Sequence, residues 1–241
     1  MTRKKNKQAA WEREAAKRRN NVETTPRRRV LEGIPDGVTL DQAGVTISRA
    51  QSSTEVRVIN EYFHKHLTNI GQRATKVPKN PRAHDPFDAV CYLAKDGNGQ
   101  IIGGINTMAH IPLVTQLAPM YSVIHGISEK DAQLTVARCI RNLAHLLVIP
   151  GYENKGIGSL LLKAAEDHER VAGAVEWFGL AEGDDAKLER FYKRHGFDLH
   201  EGDEPEVFKI PGFPVPLEAK TDPKLRRTGS KFRKTFTENN W

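Results

Sequence analysis

The residues best equipped for chemistry lie between Leu146 and Leu162. An apolar run stops at Pro150, a short polar loop follows, and Gly156 and Gly158 open a leucine-rich segment, which reads as strand, turn and helix. The first N–H groups of a helix have no partner within it, and the helix dipole adds partial positive charge at that end. Glycines let an anion approach this bare backbone, so the turn suits a phosphate group. A dinucleotide fingerprint would place a third glycine where Leu161 stands, and a P-loop would place its lysine after the glycine, whereas Lys155 precedes Gly156.

Residues 152–159 resemble motif A of the GNAT superfamily of N-acetyltransferases, Arg/Gln-x-x-Gly-x-Gly/Ala, with Glu153 at the Arg/Gln position. Residues 185–197 resemble the superfamily's Asn-x-x-Ala-x-x-Phe-Tyr-x-x-x-Gly-Phe segment, with Asp185 in place of Asn. The two blocks stand in the expected order, and the resemblance covers about residues 143–197. It implies the acyl-CoA N-acyltransferase (GNAT) fold, with acetyl-CoA as cosubstrate, a primary amine as acceptor and no metal. It also implies that the pantetheine arm pairs with the backbone of Leu146, Leu147 and Val148. The pyrophosphate would rest on the turn formed by Glu153, Asn154, Lys155, Gly156, Ile157, Gly158 and Ser159, with Lys155 adding a point charge. Asp185 falls beside the pantetheine.

Direct transfer needs a neutral amine, stabilisation of a developing oxyanion, and a proton for the departing thiolate. An alkylamine has a pKa near ~10.4, so a base or a water chain must take its proton. A backbone N–H near Val148 would serve the oxyanion. Tyr192 matches the superfamily tyrosine that protonates the sulfur. The family's strand base maps to Asn142 and Ala144, neither of which titrates. His145 is adjacent, faces away on a regular strand, and would turn inward at a bulge. Tyr62, His110 and His125 are weaker candidates.

Several elements must position these groups. Val45 to Arg49 alternates as a strand, and Ser52-x-x-Glu55 is a capping box before Val56, Ile59, Phe63 and Leu67 on one helical face. Residues 69–86 read as loop or a short helix. Strands at 89–93 and 101–108 flank Asp96, Gly97, Asn98 and Gly99, a hairpin turn. Residues 113–129 read as an insertion over the site or as part strand, and 136–148 as one long strand. The helix after the turn buries Ile157, Leu161, Ala164 or Ala165, and His168, and ends at Gly173. A strand at 175–181 and a short helix capped by Asp184 or Asp185 and closed by Gly196 follow. Residues 197–199 and 207–210 read as a closing antiparallel pair. The expected class is α/β (α+β): a mixed, mostly antiparallel central sheet with helices on both faces.

Charge divides the chain. Residues 1–29 hold eleven Lys/Arg against three Glu, and 217–241 hold seven against three acids, leaving 19 basic and 24 acidic residues between them. The expected organisation is a basic extension and linker at 1–38, the catalytic domain at 39–212, and a basic tail at 213–241. In the tail, Lys224, Arg226, Arg227, Lys231, Arg233 and Lys234 interleave with Phe232, Phe236 and Trp241, a pattern suited to RNA or a ribosomal surface. The competing reading is therefore an RNA- or ribosome-binding protein with a degenerate CoA-binding domain. Cys91 and Cys139 form no C-x-x-C pair and read as buried small hydrophobes in a reducing cytoplasm. His64 and His66, two apart on a helix, do not form a metal pair. No apolar run is long enough to span a membrane.

Overall fold

The computed structural model describes residues 37–40, 44–50, 52–69, 86–87, 89–181, 185–200, 206–208, 217–219 and 230–236. Residues 1–36 of the expected basic extension and linker, most of the 69–86 connection, and Lys224, Arg226, Arg227 and Trp241 lie outside these residues.

Short antiparallel strands start the sheet. β1 (Gly37–Leu40) pairs with β2 (Val45–Arg49), and β2 with β3 (Val90–Lys95). The sequence reading places Gly37 and Val38 in a linker; the structure uses them as an edge strand. Between β2 and β3 lies α1 (Ser53–Asn69), begun by the expected capping box: Glu55 N–H donates to Ser52 Oγ, and Ser52 N–H donates to Glu55 Oε2, both at 3.2 Å. Its stripe of Val56, Ile59, Phe63 and Leu67 is buried against Cys91 and Leu93.

β3 turns into β4 (Ile101–Ala109) through Asp96, whose Oδ1 accepts the N–H groups of Asn98 and Gln100 at 2.9 Å each. Two helices then occupy the segment read as an insertion or part strand, and the first residues of the expected long strand. α2 (Ile111–His125) is capped by His110 and closed by Gly126 at φ +60°; α3 (Glu129–Cys139) is capped by Ser128. The long-strand reading fails at its start, because Ala132, Val136 and Cys139 make a buried helical stripe ahead of the true strand, β5 (Ile140–Val148). A short apolar run fits both periods, and the Ser128 cap decides for helix.

After β5 come α4 (Ile157–Ala172), ended by Gly173 at φ +92°, β6 (Glu176–Ala181), α5 (Asp185–Arg194) and β7 (Asp198–His200). Ile157, Leu161, Ala164, Ala165 and His168 are all buried on α4, as their spacing predicts. β8 (Glu206–Phe208) does not pair with β7 as expected; it forms a separate two-stranded sheet with β9 (Leu217–Ala219).

The partner of β7 is β10 (Ser230–Thr235), which lies between β6 and β7 and pairs antiparallel with both. The eight-stranded order is β1-β2-β3-β4-β5-β6-β10-β7, antiparallel throughout except for the parallel β5–β6 pair. Part of the expected basic tail is thus a sheet strand. Phe232 and Phe236, expected to stack on bases, are core residues at 1% and 6% exposure. Arg233 grips Glu176 with two hydrogen bonds at 2.5 and 2.8 Å, and Lys234 binds Glu166 at 2.8 Å. The domain limit expected at 212 therefore falls too early.

Neighbouring residues on a strand face opposite ways, which fixes the layers. Tyr92 and Ala94 pack with α4, whereas Cys91 and Leu93 pack with α1. Ile140 and Phe178 place α2 and α3 on the α1 face. Helices cover both faces of the mixed sheet.

Candidate active site

The site begins where β5 and β6 part. Their parallel register runs from Ile140↔Glu176 to Leu143↔Gly179, while β5 continues to Val148 against β4 alone and β6, paired with β10 along its whole length on the other edge, ends at Ala181. Gly179 makes this parting point: a Cβ there would lie 2.3 Å from Phe232 Cζ and 2.8 Å from the Leu143 carbonyl oxygen. Alternate backbone groups of a strand point to opposite edges, so residues 144–148 direct N–H and C=O groups into the opening. Leu146, Leu147 and Val148 are half-buried along it.

The opening leads to the glycine turn. Gly151, Asn154 and Gly156 take left-handed φ values of +90°, +60° and +83°. Gly156 has room for a side chain but not the backbone for one, since an added Cβ meets nothing within 4 Å. The first helical bond is Leu160 N–H to Gly156 C=O at 3.1 Å, which leaves the amides of Ile157, Gly158 and Ser159 outside the helix's own ladder. Glu153, Asn154 and Lys155 are exposed, and the Lys155 ammonium lies 5.0 Å from the Tyr152 ring centroid. This backbone fits a diphosphate. Ser159 Oγ is 2.9 Å from His195 Nε2, a partner the sequence reading missed.

His145 is turned by a bulge. Asn106 pairs with His145 but Thr107 pairs with Leu143, so Ala144 is the extra residue. Arg141 and Leu143 face α4, and Asn142 faces the other way; beyond the bulge, His145 shares Asn142's face and packs on Phe63 of α1 with ring centroids 4.8 Å apart. Its Nδ1 is 2.9 Å from Asn106 Oδ1, and burial pushes its pKa down to about 4. Asn142 is half-buried between Met108 and Phe178 in the pairing register. Asn106 itself is fully buried and carries no signal in sequence, because a lone polar residue on an apolar strand has no motif.

Tyr192 is a core residue, 5% exposed, with its ring stacked on Phe232 at 3.7 Å and 12°. Burial raises its phenol well above the usual range, so it stays protonated. Asp185 is the first residue of α5, and its side chain lies outside the described residues. Of the weaker candidates, Tyr62 is buried on α1 while His110 and His125 sit at the two ends of α2. Behind the site, Arg141 Nε meets Glu169 Oε2 at 2.8 Å, Thr107 also donates to Glu169, and both charged groups are nearly fully buried. That network clamps β5 to α4. No group of three His, Cys, Asp or Glu fit to hold a metal ion occurs among the described residues.

Residues 88–199 match the family model for an acetyltransferase (GNAT) domain. They are a GNAT domain. No curated protein matches the sequence. Among solved structures, the chain is similar to a GNAT-family acetyltransferase from Streptococcus pneumoniae, at 15% identity and TM-score 0.49 over 80% of this chain and 99% of that one. It is also similar to a phosphinothricin acetyltransferase from Sinorhizobium meliloti, solved with acetyl-CoA, at 14% identity and TM-score 0.49 over 81% and 90%. Ard1 from Thermoplasma volcanium gives 12% identity and TM-score 0.45 over 81% and 99%. In this GNAT domain, β5, the glycine turn and α4 form one continuous unit, with the α2–α3 pair inserted between β4 and β5.

Proposed function

We propose that the protein transfers the acetyl group of acetyl-CoA to a primary amine by direct attack within a ternary complex. The observation that carries this is the parting of β5 from β6 at Leu143 and Gly179, next to the glycine turn. Strand groups at 144–148 on the edge away from β4 would hold an extended amide-bearing arm, and the amides of residues 155–159 its diphosphate. Lys155 would add charge from the rim. His145 and Asn142 face the acceptor side; His145 would take the amine's proton, and Tyr192 or water would give one to the leaving sulfur.

The competing reading, RNA or ribosome binding by a degenerate domain, loses the rings of Phe232 and Phe236 and the charges of Arg233 and Lys234 to internal contacts. The basic residues at 1–29, with Lys224, Arg226 and Arg227, remain to favour an acceptor linked to RNA. Cys91 and Cys139 are both buried thiols, which suits a reducing, cytoplasmic setting. No helix among the described residues is long and apolar enough to cross a membrane.

The test is calorimetry with CoA and acetyl-CoA, followed by thiol release with an amine panel. Binding plus amine-dependent thiol release supports the proposal. Binding without release on any amine favours the degenerate domain, and no binding removes both.

A further inference from the structure

In the layer where His145 packs on Phe63, two buried polar atoms have no hydrogen-bond partner among the described residues: Asn106 Nδ2 and Tyr62 Oη. Both belong to residues more than nine-tenths buried, Asn106 completely so. A buried amide donor left unpaired costs about 1–3 kcal/mol, so an asparagine here is a poor choice for packing alone. Its neighbours on β4 facing the same way are Gly104 and Met108, and the latter packs into the apolar layer under α1. A leucine or methionine would suit that layer better.

Among the described residues, Asn106 makes one side-chain hydrogen bond, to the imidazole of His145. The bond exists because of the bulge, which brings His145 onto the face that Asn106 occupies and directly opposite it in the register. With Oδ1 as acceptor, the ring must carry its proton on Nδ1, and a neutral ring then carries its lone pair on Nε2. The titratable groups on α1 near this layer are Tyr62, which packs edge-on to Phe63, and His66, which packs on Tyr62. Burial holds the Tyr62 phenol protonated and pulls the His66 pKa down, with Lys65 adding to the latter, so neither brings a charge at neutral pH.

We propose that Asn106 is the positioning residue for His145: it fixes the Nδ1–H tautomer and the ring plane, so that Nε2 receives the proton leaving the attacking amine. The amine nitrogen forms its bond to the thioester carbonyl carbon, the carbon–sulfur bond breaks, the N–H proton passes to Nε2, and the thiolate is protonated separately. Only the kinetic arm of the test rests on the acetyl-transfer reading.

The first measurement is the nitrogen chemical shifts of His145 in the full-length, isotope-labelled protein, assigned by comparison with His145→Gln. A dominant Nδ1–H tautomer is expected. A dominant Nε2–H tautomer overturns the proposal whatever the activity. The second is thiol release. Asn106→Leu is expected to lower kcat by at least about 30-fold with KM for acetyl-CoA unchanged, within the range that positioned proton transfer contributes. Asn106→Asp keeps the acceptor and adds a charge, so it should restore much of the rate and move the acid limb of the pH profile up by about one unit or more. Full activity and an unshifted profile in both variants would overturn the assignment. Wild-type protein that binds acetyl-CoA yet acetylates no amine would sink the transfer reading, while the tautomer measurement would still judge the role of Asn106.

Discussion

Removing β10 tests the fold and the sequence reading together. If residues 213–241 were a tail, deleting residues 230–241 would leave the domain's stability unchanged. In the structure the deletion strips the strand between β6 and β7 and exposes the cores of both. Phe232 is 1% exposed and stacks on Tyr192, so Phe232→Ala alone should cost about 3–5 kcal/mol. Arg233→Ala would take from the wholly buried Glu176 its ion-pair partner on β10, leaving the Thr235 hydroxyl to donate there at 3.0 Å, for a cost of about 3–5 kcal/mol. Either change consumes a large share of the roughly 5–15 kcal/mol that holds a typical domain. Urea unfolding followed by far-UV circular dichroism measures both, and the deletion should give no cooperative transition. A deletion variant that unfolds at the wild-type urea midpoint, or a Phe232→Ala cost below about 1 kcal/mol, would refute the placement of β10.

Other outcomes follow from single positions. Gly156→Ala introduces a side chain at φ +83° with no steric neighbour, so backbone strain of about 1–2 kcal/mol should appear as lost stability in the same urea assay; an unchanged midpoint would contradict it. Gly179→Ala drives a methyl into Phe232 and the Leu143 carbonyl and should cost at least about 2 kcal/mol in the same urea assay, with a small effect counting against the close approach. His145 and His168 have folded pKa values of about 4, against about 6.5 in the unfolded chain. The unfolded chain therefore binds more protons between those values, and stability should fall as pH drops from about 6.5 toward 4, by up to about 3 kcal/mol per histidine. A flat stability profile over that window would show that the two rings are not held neutral by burial.

The glycine turn, α4 and the β3–β4 hairpin were legible because their signals are local: Gly156 and Gly173 mark helix ends, and Asp96 ties its own turn. The capping box at Ser52 was legible for the same reason. β10 was not, since a strand with Lys231, Arg233 and Lys234 reads as solvated until Glu166 and Glu176, some sixty residues earlier, are known to face it. The α3–β5 junction failed because helix passes into strand with no breaker between Cys139 and Ile140. In the site, the glycine turn could be read from composition, and the bulge at Ala144 could be raised as a condition for His145 but not located. Asn106 was invisible, because its meaning depends on a cross-strand register rather than a spacing.

The position of β10 also sets an order of assembly. β6 and β7 are made first, yet neither neighbours the other; each must wait for a strand that arrives some fifty residues after β6 and thirty after β7. Closing so long a loop is slow compared with zipping a hairpin. Until it closes, the outer edge of β6 is a vacant template beside bare aromatic rings, the kind of surface on which a nascent chain sticks to its neighbours. Expression that is cooled or chaperone-assisted should therefore raise soluble yield, and residues 230–236 should protect their amides last during refolding.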